Sequence, residues 1–412
     1  MRRKERVRYQ PISVREILLE MKNLSELMID LAYSAALFND RDLAEVVIEL
    51  EEKVDTLAYL LNMGIMIAAR DAEDAKILSG VAKVASAADK ISDAAGDIAA
   101  IVLQDIGVHP IITEIFERVE ERLARIKIQE GSPIIGNKLG DLDPVSMGID
   151  IISIRRNRDW IINPKDSEII MPGDIIIVRG TQSGINEFRE KSGEEITKVE
   201  AATPRRAKAE ESFKDVVERF VELKDTSELM MDLAYSSLML NSKELAEEVQ
   251  ALEEHIDKLH TDFELLVLSK KFSKNEVKGI LGLIRLGVAT EKISDAAAEI
   301  AEVILREIEP HPVLKMTIKE AEETVVYVQV DEGSPLINKT LREAQIPEET
   351  GMWVLAIRRG GRCIRPKPDM KIEAGDIIIA SGYSDGKENL MKLASPKAFI
   401  SNMENNEINL CS

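Results

Sequence analysis

The chain repeats itself. SELMIDLAYS, beginning at Ser25, returns as SELMMDLAYS at Ser227; KISDAAGDIA at Lys90 returns as KISDAAAEIA at Lys292. EGSP at Glu130 returns at Glu332, and GDIII at Gly173 returns at Gly375. Each offset is 202 residues. A constant offset across most of a chain marks a tandem duplication, so each half must hold the same domains in the same order. The length, 412 residues, allows about two to four domains.

Two textures alternate within each half. From about residue 12 to 125 the pattern is helical. Leu24, Leu27, Met28, Leu31 and Ala35 fall on one helix face, and Asn39-Asp40 breaks the run. A second run, from Asp42 to about Arg70, carries Leu43, Val46, Val47, Leu50, Val54, Leu57 and Leu61, with Asp42 as a favourable charge near its N-terminus. A third opens at Asp71 and Glu73, continues to about Asp105 with Ile91, Ala95 and Ile98 on one face, and stops at His109-Pro110. Three amphipathic faces can bury one another in an antiparallel bundle. A fourth helix is expected from about Ile111 to Leu123. Beyond it, ARIKI, GIDIISIRR, SEIIMPG and DIIIVRG are short β-branched runs between Gly and Pro, which read as strands joined by turns. Pro172-Gly173-Asp174 leads into a buried strand, Ile175 to Val178.

The expected fold class is therefore α+β multidomain: helical bundles at 12–125 and 213–327, small α+β domains at 126–189 and 328–394, a linker at 190–212 and a loose tail at 395–412. The net charge of −20 disfavours nucleic acid and an anionic membrane surface as partners. The two cysteines, Cys363 and Cys411, suggest neither a disulfide framework nor a thiolate metal site, and a reducing, cytoplasmic location is the expectation. The basic start, MRRKERVRYQPIS, has no apolar segment behind it and is not read as a secretory signal. The most apolar helical stretch, Leu57 to Ala69, is too short for a membrane span of roughly 20 residues, so no direct insertion is expected.

The helical part resembles the PhoU family, whose long helices carry acidic E/D-x-x-x-D signatures. The matching residues are Glu51 and Asp55 in VIELEEKVDTL, and Asp89, Asp93 and Asp97 in AADKISDAAGDIA. The second half supplies Glu253 and Asp257, then Glu291, Asp295 and Glu299. A PhoU protein normally has its two three-helix repeats in succession, whereas here the β-rich domain separates them. That domain resembles the TrkA C-terminal domain of potassium-conductance regulators. The resemblance rests on Glu130 to Pro133, Leu139, Ile151 to Arg155 and Pro172-Gly173-Asp174-Ile175. It recurs in Glu332 to Pro335, Leu341, Val354 to Arg358 and Ala374-Gly375-Asp376-Ile377. The family usually pairs this module with a dinucleotide-binding Rossmann domain. No strand followed by G-x-G-x-x-G occurs in this chain, so NAD is not expected as a cofactor.

Carboxylates at i, i+4 and i+8 share one helix face, and like charges so placed destabilise an isolated helix. Oxygen clusters of this kind suit Mg²⁺, Ca²⁺, Mn²⁺ or Fe³⁺, so a divalent or ferric ion is one reading of the ten acids. The other is a face balanced by Lys53, Lys83 and Lys90, or salt bridges where two bundles meet. Glu26/Asp30 and Glu228/Asp232 also stand four apart and read as an exposed face or as support to such a site. The motif SELM also places a Ser and an acid near a helix start, where the Ser is a candidate cap. His109 and His311 read as helix C-terminal partners of the dipole; His255 and His260 have no counterparts in the first half and read as incidental. In the β domains, the paired arginines Arg155-Arg156 and Arg358-Arg359 suit an anion or nucleotide. The resemblance implies small ligands, cyclic dinucleotides among them, near these pairs, against the alternative of a solvent-facing strand end. No H-E-x-x-H, nucleophile elbow, P-loop or Cys/His pair appears, so no enzyme is expected.

Together the resemblances imply a cytoplasmic regulator of a membrane cation channel or transporter, for K⁺ or Mg²⁺, that senses a small ligand or metal. The alternatives are a PhoU-type regulator of a phosphate transporter or sensor kinase, and a metal buffer. The duplication suggests that the two β domains pair within one chain, which leaves a homodimer open.

Overall fold

A computed structural model describes residues 11–194 and 204–396, apart from 322, 361, 365, 367, 368 and 384. The expected tail lies mostly outside the described residues, as do the first ten residues and the middle of the expected linker.

Three long helices open the chain: α1 (Val14–Phe38), α2 (Arg41–Ala68) and α3 (Ala72–Leu103). Their ends follow from local chemistry. Asn39 adopts the left-handed conformation and closes α1, and the Asp40 carboxylate accepts the N–H of Leu43 to start α2. Asp71 accepts from Glu73 and Asp74 at the start of α3. Ser25 of SELM sits inside α1, donating back to the Lys22 carbonyl, so it caps nothing. The fourth helix, α4 (Ile112–Arg118), is shorter than the sequence suggests, because Leu123 already belongs to β1 (Arg122–Lys127).

The first sheet continues with β2 (Ile149–Arg156), β3 (Asp159–Ile162) and β4 (Ile175–Gly180), and α5 (Gln182–Ser192) follows. It is antiparallel throughout, in the order β1-β4-β2-β3. A bulge at Ile152 re-aims that residue. Ile152, Ile177 and Leu123 enter the helical core, while Ile126, Ile154, Ile176 and Val178 pack with Ile185 and Phe188 of α5. The sheet is covered on both faces, which explains the unbroken Ile run of β4.

The second copy gives α6 (Pro204–Leu240), α7 (Lys243–Ser269), α8 (Val277–Leu305), α9 (Pro312–Glu320) and β5 (Glu323–Gln329). Then come α10 (Leu341–Ala344), α11 (Ile346–Thr350), β6 (Met352–Arg359), β7 (Arg362–Ile364), β8 (Ile377–Tyr383) and α12 (Gly386–Ala394). Its sheet order, β5-β8-β6-β7, matches the first. Part of the expected linker is helix, since α6 already begins at Pro204.

The two bundles meet within the chain. A Cβ on Gly80 would lie 3.1 Å from Val303, and one on Gly282 would lie 1.8 Å from the Gly107 carbonyl oxygen. Each glycine, early in its own helix, thus meets the late end of the other copy, so α3 and α8 run antiparallel about a pseudo-two-fold axis. Buried residues of all six long helices form one core. The β domains also touch. The Pro144–Met147 turn packs on α11, with Gly148 against the Pro347 carbonyl and Gly351 against Val145.

The repeated histidines serve the helices that follow them, a correction to their sequence reading. His311 Nδ1 accepts the Val313 N–H at 3.1 Å and starts α9. His109 Nδ1 lies 3.4 Å from the Ile111 N–H, and its ring stacks on Phe213 at 4.8 Å. Burial pushes the His109 pKa down, so the ring is held neutral as an acceptor and not as a dipole-paired cation.

Candidate functional site

The structure sorts the ten acidic candidates into groups. Two are claimed by lysines of the opposite bundle: Lys90 Nζ lies 2.5 Å from Glu299, and its pseudo-symmetric counterpart Lys292 lies 2.7 Å from Asp97. Lys83 adds to Glu299 at 3.6 Å. For these two acids the bundle-contact reading describes the geometry. Glu51 lies over Gly96, where a Cβ would come within 2.3 Å of its carboxylate oxygen.

Asp257, Glu291 and Asp295 are brought together, each offering a carboxylate oxygen within 4.8 Å of the others. Burial pushes the Glu291 carboxyl up, and Asp295 and Asp257 push it further. Asp295 rises for the same reasons, through burial, Asp257 and Glu299; Glu253 rises through burial, Asp257 and Asp295. The accumulated negative charge is what a bound cation relieves, and three oxygen donors suit a hard ion. His260, read as incidental, stands at the edge of this group, its Nδ1 3.7 Å from Glu291 and its Nε2 3.7 Å from Glu264. The signal was its spacing: Glu253, Asp257 and His260 fall at i, i+4 and i+7 on one helix face. The first copy has Asp55, Asp89 and Asp93 at the matching positions, with Asp89 one methylene shorter than Glu291.

The arginine pairs divide in the same manner. The Arg156 guanidinium grips Asp174 with two bonds of 3.0 and 2.9 Å and also reaches Glu168 at 2.8 Å and the Ile169 carbonyl at 2.7 Å. Arg359 repeats this with Asp376, at 2.7 Å twice, and with Glu373 and the Lys371 carbonyl. Asp174 and Asp376 are almost wholly buried, so these forks hold the turn before the central strand. Arg156 and Arg359 thus have a structural task in the turn beside the anion or nucleotide reading of their sequence. Arg155 instead crosses to the bundle, 3.3 Å from Asp40 and 2.7 Å from Asp42, and lies over the Trp160 ring at 5.7 Å. Arg358 is exposed.

A second latch escaped the sequence reading. Arg179 on β4 is buried and lies 2.7 Å from Asp30 on α1, so Asp30 faces the β domain and not solvent. The clue was a lone arginine in an otherwise apolar strand. Across the pseudo-two-fold, Lys22 pairs with Glu26 at 2.6 Å and lies over the Tyr235 ring at 4.6 Å. Lys224 pairs with Glu228 and lies over Tyr33 at 5.6 Å. The two lysine–aromatic contacts join α1 to α6. Glu26 and Glu228 therefore belong to this seam.

Among the described residues, no helix is long and apolar enough to cross a membrane. The PhoU domain model matches residues 18–102 and 220–304, and the TrkA-C domain model matches 123–193 and 325–395. Ktr system potassium uptake protein C of Bacillus subtilis is 28% identical over 159 residues, 37% of this chain and 69% of that protein. Potassium channel protein 1 of Methanocaldococcus jannaschii is 41% identical over 58 residues, 14% of this chain and 17% of that protein. The crystal structure of PhoU from Pseudomonas aeruginosa is 15% identical with a TM-score of 0.37, over 71% of this chain and 96% of that one, a likeness too loose to carry an inference. The chain is a fusion of PhoU and TrkA-C domains, each present twice in alternating order.

Proposed function

We propose that the chain is a regulatory accessory of a membrane potassium-transport system, working at the cytoplasmic face of its partner. The observation that carries this is the mechanical joining of the two modules. The inner face of each sheet is sealed into the helical core, and Arg155 and Arg179 latch the first sheet to α2 and α1. A ligand that shifts a TrkA-C domain therefore shifts the helices it is built into. Both matched curated relatives carry potassium in their names, which favours K⁺ over Mg²⁺. A phosphate-signalling role would rest on the helical halves and leave both TrkA-C sheets without a task. The reading assigns the chain no catalytic step and no nicotinamide cofactor. Affinity capture of the tagged chain from detergent-solubilised host membranes is the test. Recovery of a potassium channel or transporter supports the proposal, and recovery of a phosphate transporter or a sensor kinase overturns it.

A metal-dependent element fits beside this reading. Asp257, Glu291 and Asp295 would hold a divalent or ferric ion that bridges α7 and α8. Calorimetric titration with Mn²⁺ should lose its second-copy site in Asp295→Asn, and identical isotherms for variant and wild type would remove the metal. Stoichiometric retention of several metal ions per purified chain with no membrane partner would instead indicate a buffer.

A further inference from the structure

Exposed apolar side chains gather at one end of the second bundle. Leu265 and Leu268 lie in the last two turns of α7, Phe272 in the link that follows, and Val277 and Leu281 in the first two turns of α8. All five are exposed, Leu265 and Leu268 to 61% each. Single exposed apolar residues are ordinary, whereas a group of them rimmed by one sign of charge marks a contact surface. The rim here is basic: Lys270, Lys271, Lys274 and Lys278 stand among the five. The turn itself is well fixed. The Glu276 carboxylate accepts the Ser273 N–H at 2.7 Å, and Lys270 Nζ reaches Asp215 of α6 at 2.6 Å. Lys271 and Lys274, in the link, are exposed.

The duplication provides a control. Residues 269–281 carry those four lysines against one acid, Glu276. The equivalent residues 67–79 carry Arg70 and Lys76 against Asp71, Glu73 and Asp74. The second tip is therefore net positive and the first net negative, in a chain of net charge −20. Phe272 and Leu281 stand where the first copy has Arg70 and Ser79. Acids on neighbouring elements are matched: Asp215 by Lys270, and Asp105, whose carbonyl accepts from Lys278, by Arg41 at 3.5 Å. The stretch 195–212, which leads into and opens α6, holds four basic residues and four acidic ones, so it leaves the sign of the tip unchanged. α7 is 27 residues long, about 40 Å. Charges at its far end thus lie well beyond a Debye length of about 10 Å, and an approaching surface meets the local charge of the tip.

We propose that the α7–α8 tip docks on an anionic lipid surface. Leu268, Phe272 and Val277 enter the headgroup layer, and Lys271 and Lys274 meet the lipid phosphates. The charge of the whole chain disfavours such a surface, and for that reason the contact is made tip-first, with the acidic body held away. Apolar and basic groups are both needed. Lysines alone would equally suit a dissolved anion, and the apolar side chains alone would equally suit a neutral membrane. The contact is interfacial, since no helix among the described residues can span a bilayer. The proposal goes beyond the transporter assignment. It is tested on lipid without any transporter, so either can fail while the other stands.

The test is co-sedimentation of the purified full chain with phosphatidylcholine vesicles, made with and without phosphatidylglycerol. The chain should sediment with the anionic vesicles and not with the neutral ones, and added salt should release it. Lys271→Glu with Lys274→Glu should weaken binding roughly tenfold or more. Leu268→Ser with Phe272→Ser should weaken it to a similar degree at unchanged salt dependence, because the lysines remain. All four side chains are exposed, so both variants should keep the wild-type thermal unfolding midpoint. Met66→Ser with Ile67→Ser, at the acidic tip of the first copy, should leave binding unchanged. Equal binding to neutral vesicles, or no binding to anionic ones, would overturn the proposal. So would binding that survives both second-tip variants and is lost on removing residues 1–10, which would assign it to the basic start of the chain. If vesicles are not bound but the lysine variant loses capture of a membrane protein, the tip meets an acidic protein surface and lipid docking is wrong.

Discussion

The hydroxyl of Tyr33 lies 2.7 Å from that of Thr290, buried between α1 of the first copy and α8 of the second. Thr290 gives its own proton to the Leu286 carbonyl at 2.9 Å, so Tyr33 is the donor of the pair. Burial pushes the Tyr33 pKa up to about 12, which keeps that proton in place. Tyr33→Phe removes one hydrogen bond and leaves Thr290 its bond to Leu286. The expected cost is about 1 kcal/mol in urea unfolding. A loss well below that would mean the bundles do not share this contact.

The helix crossing should be asymmetric in its tolerance. Gly80 and Gly282 are pseudo-equivalent, but the first faces a methyl group of Val303 and the second a backbone oxygen of Gly107. A side chain yields more readily than backbone does. Gly282→Ala should lower stability by at least ~2 kcal/mol, and Gly80→Ala by less than half as much, as read from denaturation midpoints. Equal costs would contradict the close approach.

Arg179→Ser makes the first copy resemble the second at this position. It leaves Asp30 buried without its guanidinium partner, a loss on the order of 3 kcal/mol. Hydrogen exchange should show faster opening of residues 122–192 than of the helical core. Uniform change across the chain would argue that the latch is not local.

Asp225, beside Lys224 at the α1–α6 seam, gives a pH signature. Burial raises its carboxyl from an ordinary 3.8 to about 7. An acid whose folded pKa lies above its unfolded one removes stability as pH climbs between the two values. Asp225→Asn avoids that loss. The variant should match wild type near pH 4 and exceed it by roughly 1–2 kcal/mol at pH 8, with the difference growing between those limits. Urea unfolding at several pH values measures this, and a difference independent of pH would refute the assignment.

Domain content was legible because duplication lets each motif be read twice, and because capping residues such as Asp40 and Asp71 are local signals. What escaped is non-local. Nothing in the spacing shows that Arg156 closes on Asp174, 18 residues away, while its neighbour Arg155 reaches Asp42, 113 away. Lys90 and Glu299 lie 209 residues apart, so the ladder's last acids look free until the bundles are placed together. The helix expected through Leu123 failed because RLARIK fits a helical period nearly as well as a strand. His260 reads as incidental in sequence because the first copy has no counterpart, and only the packing of α7 on α8 brings it to Glu291.

Regulation of potassium movement by this chain, as proposed, is read out by rubidium uptake. Host cells lacking the chain should take up rubidium-86 at an altered rate, restored by the wild-type chain and restored poorly by Arg155→Ala with Arg179→Ala, which unlatches the first sheet from the helices. Unchanged rubidium uptake together with altered phosphate uptake would overturn the potassium assignment.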